Sequence, residues 1–204
     1  MPGKFAELKD TINLCTVQKE ADTTLACGAL VLSLGANVPG AWGRPVETLS
    51  KALIHLARAG ICDATVTRCW VTTPIGLNRQ PEFYNVCVLS NSDVSVSKLS
   101  AVCKNIERQA GRRPGLHRWG PRPLDIDIIS AGRQIIGWPN SATEWRLLSI
   151  PHPRAHKRAF VLAPLAYDAP AWRHPISGRT ARALLNTLPY RERRGVRLAS
   201  PGEV

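Results

Sequence analysis

Arg112-Arg113-Pro114-Gly115-Leu116-His117-Arg118-Trp119-Gly120-Pro121-Arg122-Pro123-Leu124-Asp125-Ile126-Asp127-Ile128-Ile129 decides the fold, because a basic loop broken by proline and glycine runs directly into an apolar stretch with two carboxylates. Residues 124–129 carry the branched apolar side chains of a strand, follow turn formers and are closed by Ala131-Gly132. Side chains alternate along a strand, so Asp125 and Asp127 share one face while Leu124, Ile126 and Ile128 take the other. Two carboxylates about 7 Å apart on one face repel, and a cation between them removes the repulsion. Mg²⁺ suits the position, since it prefers hard oxygens and is usually held by one or two carboxylates plus substrate phosphates. Arg112, Arg113, Arg118 and Arg122 present planar forks suited to phosphate oxygens. Pro114, Gly115, Gly120, Pro121 and Pro123 forbid regular structure in the loop, which favours a mobile lid. An Asp-x-Asp pair or an arginine-rich loop taken alone is more often a solvated face; their adjacency points to metal-assisted phosphoryl chemistry.

Working outward, residues 97–111 read as a helix, with Ser97 as N-cap, Leu99, Val102, Cys103, Ile106 and Ala110 on one face, and Gly111 where it stops. Residues 28–34 suit a buried strand ended by the turn Gly35-Ala36-Asn37, in which Asn37 ties the turn to backbone. Pro45 opens a helix with Val46, Leu49, Leu53, Leu56 and Ala57 inward and Gly60 beyond its end. Residues 65–71 alternate as a strand, Thr72-Thr73-Pro74-Ile75-Gly76 turns the chain, and residues 83–89 form a further strand after Pro81. The order βαββαβ is that of a ferredoxin-like α+β core: a mainly antiparallel sheet with helices packed on it. Downstream, residues 134–136 suit a short antiparallel strand and 138–145 a polar connection. Ile150-Pro151-His152-Pro153-Arg154 suits a rigid loop, 158–165 an apolar segment, and 180–188 a last helix. The expected division is a poorly ordered extension at 1–26, one domain over 27–190, and a basic, solvated tail at 191–204 carrying Arg191, Arg193, Arg194 and Arg197.

A length of 204 residues suits one domain, and 44% hydrophobic with 21% charged residues is ordinary for a soluble globular protein and suggests neither a fibre nor a membrane span. The net charge of +12 favours a polyanionic partner without choosing between nucleotide, nucleic acid and lipid surface. Cys15, Cys27, Cys62, Cys69, Cys87 and Cys103 form no C-x-x-C pair and no zinc spacing, and read as reduced thiols. With no apolar signal region, the expectation is a cytoplasmic protein.

Arg112, Arg118-Trp119-Gly120-Pro121-Arg122 and Leu124-Asp125-Ile126-Asp127 resemble the signature of the 6-hydroxymethyl-7,8-dihydropterin pyrophosphokinase family of folate biosynthesis. Gly35-Ala36-Asn37, Thr72-Thr73-Pro74-Ile75-Gly76 and Gln80-Pro81-Glu82-Phe83-Tyr84-Asn85 are similar to further motifs of the family, and the likeness runs from about Ala29 to Leu188. It implies transfer of pyrophosphate from ATP to a pterin hydroxymethyl group with release of AMP. Arg112, Arg122, Asp125 and Asp127 would be catalytic, the two aspartates holding two Mg²⁺ ions. ATP would be bound by Glu107, Arg112, Trp119, Arg122, Ile128, His152 and Arg158. The pterin would be bound by Thr72, Ile75, Phe83, Asn85, Trp119 and Phe160, with Phe83 and Phe160 sandwiching the ring and Asn85 at its edge. Departures from the family pattern are Phe83 in place of a frequent tyrosine, Lys104 in place of glutamine, Pro114 in place of a loop arginine, and Arg146 one place from an adenine-side arginine. The expected state is a monomer acting on small molecules, with neither nucleic acid nor membrane as partner. The rivals are an RNA-binding module on a ferredoxin-like sheet, which would need paired exposed aromatics in an RNP-like strand, and an inactive pterin-binding relative.

Overall fold

Seven consecutive buried residues, Leu30–Ala36, form the interior strand β1. The structure is a computed structural model and describes residues 29–74, 80–113, 120–137 and 148–204. The expected extension at 1–26, the connection at 138–145, Ile75 and Trp119 lie outside the described residues. After β1 come α1 (Pro45–Arg58), β2 (Ala64–Val66), β3 (Trp70–Thr72), β4 (Phe83–Ser90), α2 (Val96–Gln109) and β5 (Asp125–Ala131). A single 3-10 turn at Ala155–Lys157 then precedes α3 (Ala159–Asp168), α4 (Ala181–Leu185), α5 (Tyr190–Arg194) and β6 (Val196–Leu198). The strands lie in the order β5-β1-β4-β3-β6, with β2 also on β4. All these pairings are antiparallel, and the first four strands of that order follow ferredoxin-like topology.

Each face of the sheet buries a separate cluster. Leu32, Leu34, Val86, Val88, Ile126 and Ile128 meet Leu49, Leu53 and Leu56 of α1 and Leu99, Cys103 and Ile106 of α2. On the opposite face Val31, Cys87, Leu89 and Ile129 meet Val161, Leu162 and Leu165 of α3 and Leu184 of α4. The cysteines follow the core: Cys69, Cys87 and Cys103 are buried thiols, each pushed up to about 12 by loss of solvent.

Several element boundaries differ from those expected of the sequence. The helix expected from Ser97 begins earlier, at Val96, with Ser95 in the N-cap position, since Val96, at 6% exposure, belongs to the core. The single strand expected over 65–71 is broken into β2 and β3. Between them Thr67 N–H donates to the Cys87 carbonyl (2.9 Å) while Cys87 N–H donates to Thr67 Oγ1 (2.9 Å), so a hydroxyl replaces a ladder carbonyl. Thr180 caps α4 by accepting from Ala183 N–H at 3.2 Å, but α4 is not the last helix, since α5 follows. The expected solvated tail differs most: Val196–Leu198 pairs with β3, in the register Trp70↔Leu198, Val71↔Arg197, Thr72↔Val196. An open β3 edge would leave ladder groups without partners, and β6 supplies them.

His174, buried beside Trp172 and edge-on to His156, titrates at about 4 because burial, and then the neighbouring His156, disfavour its cation. Its folded value is depressed below the ordinary 6.5, so its contribution is complete above pH 6.5 and lost as pH falls towards about 4. Thermal unfolding followed by circular dichroism is expected to show this acid-side loss, and His174→Gln to flatten it; an equally steep slope in the variant would contradict the assignment.

Candidate active site

Register, rather than proximity in sequence, assembles the site. Gly35 of β1 pairs with Asn85 on one side and Asp125 on the other, and Ser33 pairs with Cys87 and Asp127 in the next row. The strand face that is apolar under α3, at Val31, Leu89 and Ile129, therefore turns polar toward the end that α3 leaves open. Two groups of side chains gather there, separated only by β1.

The β5 side is a cleft of about 380 Å³ whose lining includes Glu107, Arg112, Arg122, Asp125, Asp127, Ile128, His152 and Arg158. Asp125 accepts from Arg112 Nη1 (2.6 Å) and from Arg122 Nη1 (2.7 Å), one arginine on each oxygen. Asp127 accepts from Arg158 Nη1, and His152 Nε2 stands 3.8 Å from its other oxygen. The repulsion expected between the two carboxylates is thus met by guanidinium groups. Glu107 of α2 accepts both from Arg112 and from Ile126 N–H (2.8 Å), which ties the helix to the strand edge. Burial pushes the Glu107 carboxyl up to about 7, against the pull of the Ile126 N–H and of Arg112. Burial alone would lower Arg112, but Asp125 and Glu107 beside it more than offset this and hold it above its ordinary value.

Local sequence aims these groups. Gly111, at φ +99°, ends α2, and Arg112 N–H then donates to the Glu107 carbonyl at 3.0 Å, a Schellman-type cap that swings the Arg112 side chain toward β5. His152 Nδ1 accepts from Arg154 N–H (3.0 Å), so the neutral ring carries its proton on Nε2, the atom facing Asp127. Burial lowers the His152 pKa, and of the charges beside it Asp127 opposes that shift and Arg158 adds to it. Antiparallel alternation turns the N–H and C=O of Ile128 to the same outer edge of β5 as the Ile126 N–H.

The β4 side holds Thr72, Phe83 and Asn85. Asn85 Nδ2 donates to Thr72 Oγ1 (2.9 Å) and to the Phe83 carbonyl (3.1 Å), which leaves Oδ1 over Gly35. A Cβ on Gly35 would lie 3.0 Å from that oxygen and 3.8 Å from the Phe83 ring, so glycine keeps the floor between the two groups open. Phe160 begins α3, with the Arg158 guanidinium 5.4 Å above its ring.

Asn37 does not tie its own turn, the role expected of it, but reaches across strands. Nearly fully buried, it donates from Nδ2 to Gln80 Oε1 (3.1 Å) and the Pro81 carbonyl (3.2 Å) and accepts from Arg122 N–H on Oδ1 (2.7 Å). One amide therefore joins the entry to β4 to the arginine loop before β5. Ser100 and Lys104, one turn apart on the Glu107 face of α2, also line the cleft. Ser100 is not among the residues expected from sequence, though its spacing from Lys104 and Glu107 is a usable signal.

Asp125 and Asp127 offer hard oxygens on one face, and the arginines holding them are the donors a phosphate would take, so the residues fit magnesium arriving with a phosphorylated ligand. Among the described residues no three His, Cys, Asp or Glu side chains converge as a metal site, so ligand oxygens would have to complete the shell.

Comparison with known proteins shows the family. The chain is 37% identical over 163 residues to the 2-amino-4-hydroxy-6-hydroxymethyldihydropteridine pyrophosphokinase of Synechocystis sp., covering 78% of this chain and 75% of that protein. It is also 37% identical over 180 residues to the enzyme of the same name from Mycobacterium leprae, covering 84% of this chain and 88% of the relative. The mitochondrial folate synthesis bifunctional protein of Arabidopsis thaliana is 37% identical over 136 residues, 67% of this chain and 22% of that protein. The chain thus spans about a quarter of the length of the plant bifunctional relatives it matches. A solved HPPK-DHPS chain from Plasmodium falciparum, a triple mutant with pteroate, shares the fold at TM-score 0.58 and 14% identity, over 84% of this chain and 46% of that one. Residues 31–170 match the model of 7,8-dihydro-6-hydroxymethylpterin-pyrophosphokinase, and the chain belongs to that family.

Proposed function

We propose that this chain transfers a pyrophosphoryl group from ATP to 6-hydroxymethyl-7,8-dihydropterin, giving the pterin diphosphate and AMP in tetrahydrofolate biosynthesis. The observation that carries this reading is the row Asn85, Gly35, Asp125, in which the Asn85 amide beside Phe83 and the carboxylate of the arginine cleft share one face with only a glycine between them. Phe83 and Phe160 supply flat apolar faces for a heterobicycle, and Asn85 Oδ1 with Thr72 supplies polar contacts at its rim. Ile75 and Trp119 complete this set by family resemblance. Glu107, Arg112, Arg122, His152, Arg158 and the Ile128 backbone face the nucleotide, again with Trp119 by resemblance. The pterin hydroxymethyl oxygen forms a bond to the β-phosphorus as the bond from that phosphorus to the α-bridging oxygen breaks, and AMP leaves with that oxygen.

Arg112, Arg122 and Arg158, which now hold the two aspartates, would turn to phosphate oxygens, and Asp125 and Asp127 would then be free to hold a metal. Two Mg²⁺ ions, held by Asp125 and Asp127, would neutralise phosphate charge and lower the barrier to deprotonating the hydroxyl. ATP carries a charge of about −4, so with two Mg²⁺ it would be close to neutral and the exchange would leave the charge of the cleft balanced. Positioning and fixed charge carry the rate; no side-chain nucleophile is required. The protein acts as a cytoplasmic monomer in this reading, and no helix of the described residues is long and apolar enough to cross a membrane. The RNA-binding rival is disfavoured because α1 and α2 cover one sheet face and α3 and α4 part of the other.

Release of AMP from MgATP that depends on the pterin, measured in a coupled assay, tests the proposal; no AMP above background at micromolar enzyme would overturn it. Gly35→Ala crowds Asn85 Oδ1 and is expected to raise the pterin KM by about tenfold, the worth of one hydrogen bond. The ATP KM should stay within about twofold. An unchanged pterin KM would remove Gly35 and Asn85 from the pterin floor.

A further inference from the structure

The C-terminal strand ends in a network that reaches the pterin side of the sheet. Thr73 N–H donates to the Gly195 carbonyl (2.9 Å) and Ala199 N–H to the Cys69 carbonyl (3.0 Å), so β6 is bonded to the chain just beyond each end of β3. Arg197 Nη2 donates to Glu82 Oε2 (3.0 Å) and to Glu203 Oε1 (2.8 Å), and Nη1 donates to Glu203 Oε2 (2.8 Å), a two-point grip on Glu203. Ser200 N–H also donates to Glu203 Oε2 (2.7 Å), which fixes that acid for Arg197. Glu82 in turn accepts from Thr73 Oγ1 (3.4 Å). Thr73 directly follows Thr72 and Glu82 directly precedes Phe83, so Glu82 at the entry to β4 is held both by Thr73 at the end of β3 and by Arg197 of β6. Both stems carry residues assigned to the pterin.

We propose that β6, through Arg197, is a positioning element for the pterin pocket, so that a segment in contact with neither substrate sets pterin affinity; this rests on the function proposed above. An isolated exposed ion pair contributes little, but here the fork of Arg197 is held by Glu203 before it meets Glu82, and less side-chain freedom is lost in making the bridge. With the bridge cut, the stems carrying Thr72 and Phe83 keep their ladder pairing and the Thr73–Glu82 bond but lose the Arg197 brace, while the cleft at β5, two strands from β4, keeps all of its contacts.

Steady-state kinetics on the full chain tests this. Arg197→Ala is expected to raise the pterin KM about fivefold, with kcat and the ATP KM within about twofold. Arg197→Lys should recover part of the loss, and Glu82→Gln should reproduce it without adding to Arg197→Ala in the double variant. A pterin KM at the parental value, or equal rises for both substrates with a lower Tm, would overturn the proposal. Hydrogen exchange read without turnover separates this from the assignment of activity: amides at 71–73 and 82–84 should exchange about tenfold faster in Arg197→Ala, with β1 unchanged. Unchanged exchange overturns the strap even in an active enzyme, whereas faster exchange in a protein that releases no AMP supports the strap and leaves only the activity rejected.

Discussion

Asp127→Ala is expected to lower kcat for AMP release by about a thousandfold or more, the scale of losing a metal ligand together with its fixed charge. Asp127 shares its row with Ser33 and Cys87 at mid-strand, so its backbone is held by the β1 ladder and truncation leaves the sheet intact. The variant frees Arg158, now without its carboxylate, and makes the cleft more positive. Nucleotide without magnesium should therefore bind at least as tightly as before, while the magnesium dependence of binding weakens. That divergence, read by titration calorimetry of ATP with and without magnesium, separates a metal ligand from a mere counter-ion to Arg158. A parental rate in a folded Asp127→Ala protein would remove Asp127 from the metal site.

Arg122→Ala is expected to cost about a hundredfold to a thousandfold in kcat, with a smaller change in the ATP KM, as for removal of one donor aimed at charge developing in the transition state. This position permits a clean test. The main chain of Arg122 is fixed independently of its side chain, its N–H donating to Asn37 Oδ1 (2.7 Å) and its carbonyl accepting from Asn37 N–H (3.1 Å). Only the guanidinium changes. Arg122→Lys should recover little of the rate, because a point charge cannot reproduce the planar fork of a guanidinium. If kcat stayed within about threefold and only the ATP KM rose, Arg122 would be a ground-state binding group.

Local features are legible in the chain itself. Alternation alone places Asp125 and Asp127 opposite Ile126 and Ile128, and the folded protein has both isoleucines in the helix-side core with both acids lining the cleft. The helix stop at Gly111 is likewise readable, since a left-handed residue there suits glycine best. Other features have no local sign. That the carboxylates rest on Arg112, Arg122 and Arg158 does not follow from a spacing that fits a metal equally well. Asn37 looks like a turn former, and its bridge from Gln80 to Arg122 exists only because β1 lies between β4 and β5. The basic composition of 191–204 suggests solvent, yet the open edge of β3 draws that segment in as β6.

The sequence by itself determined the main elements β1, α1, β4, α2 and β5 and put Asp125 and Asp127 on one strand face, because periodicity and turn residues act within a few positions of one another. Only the tertiary structure decided that Asn85, Gly35 and Asp125 stand side by side, and that Arg197 reaches Glu82. Strand order and register are settled by burying both faces of one sheet at once, and no short stretch of sequence contains that balance.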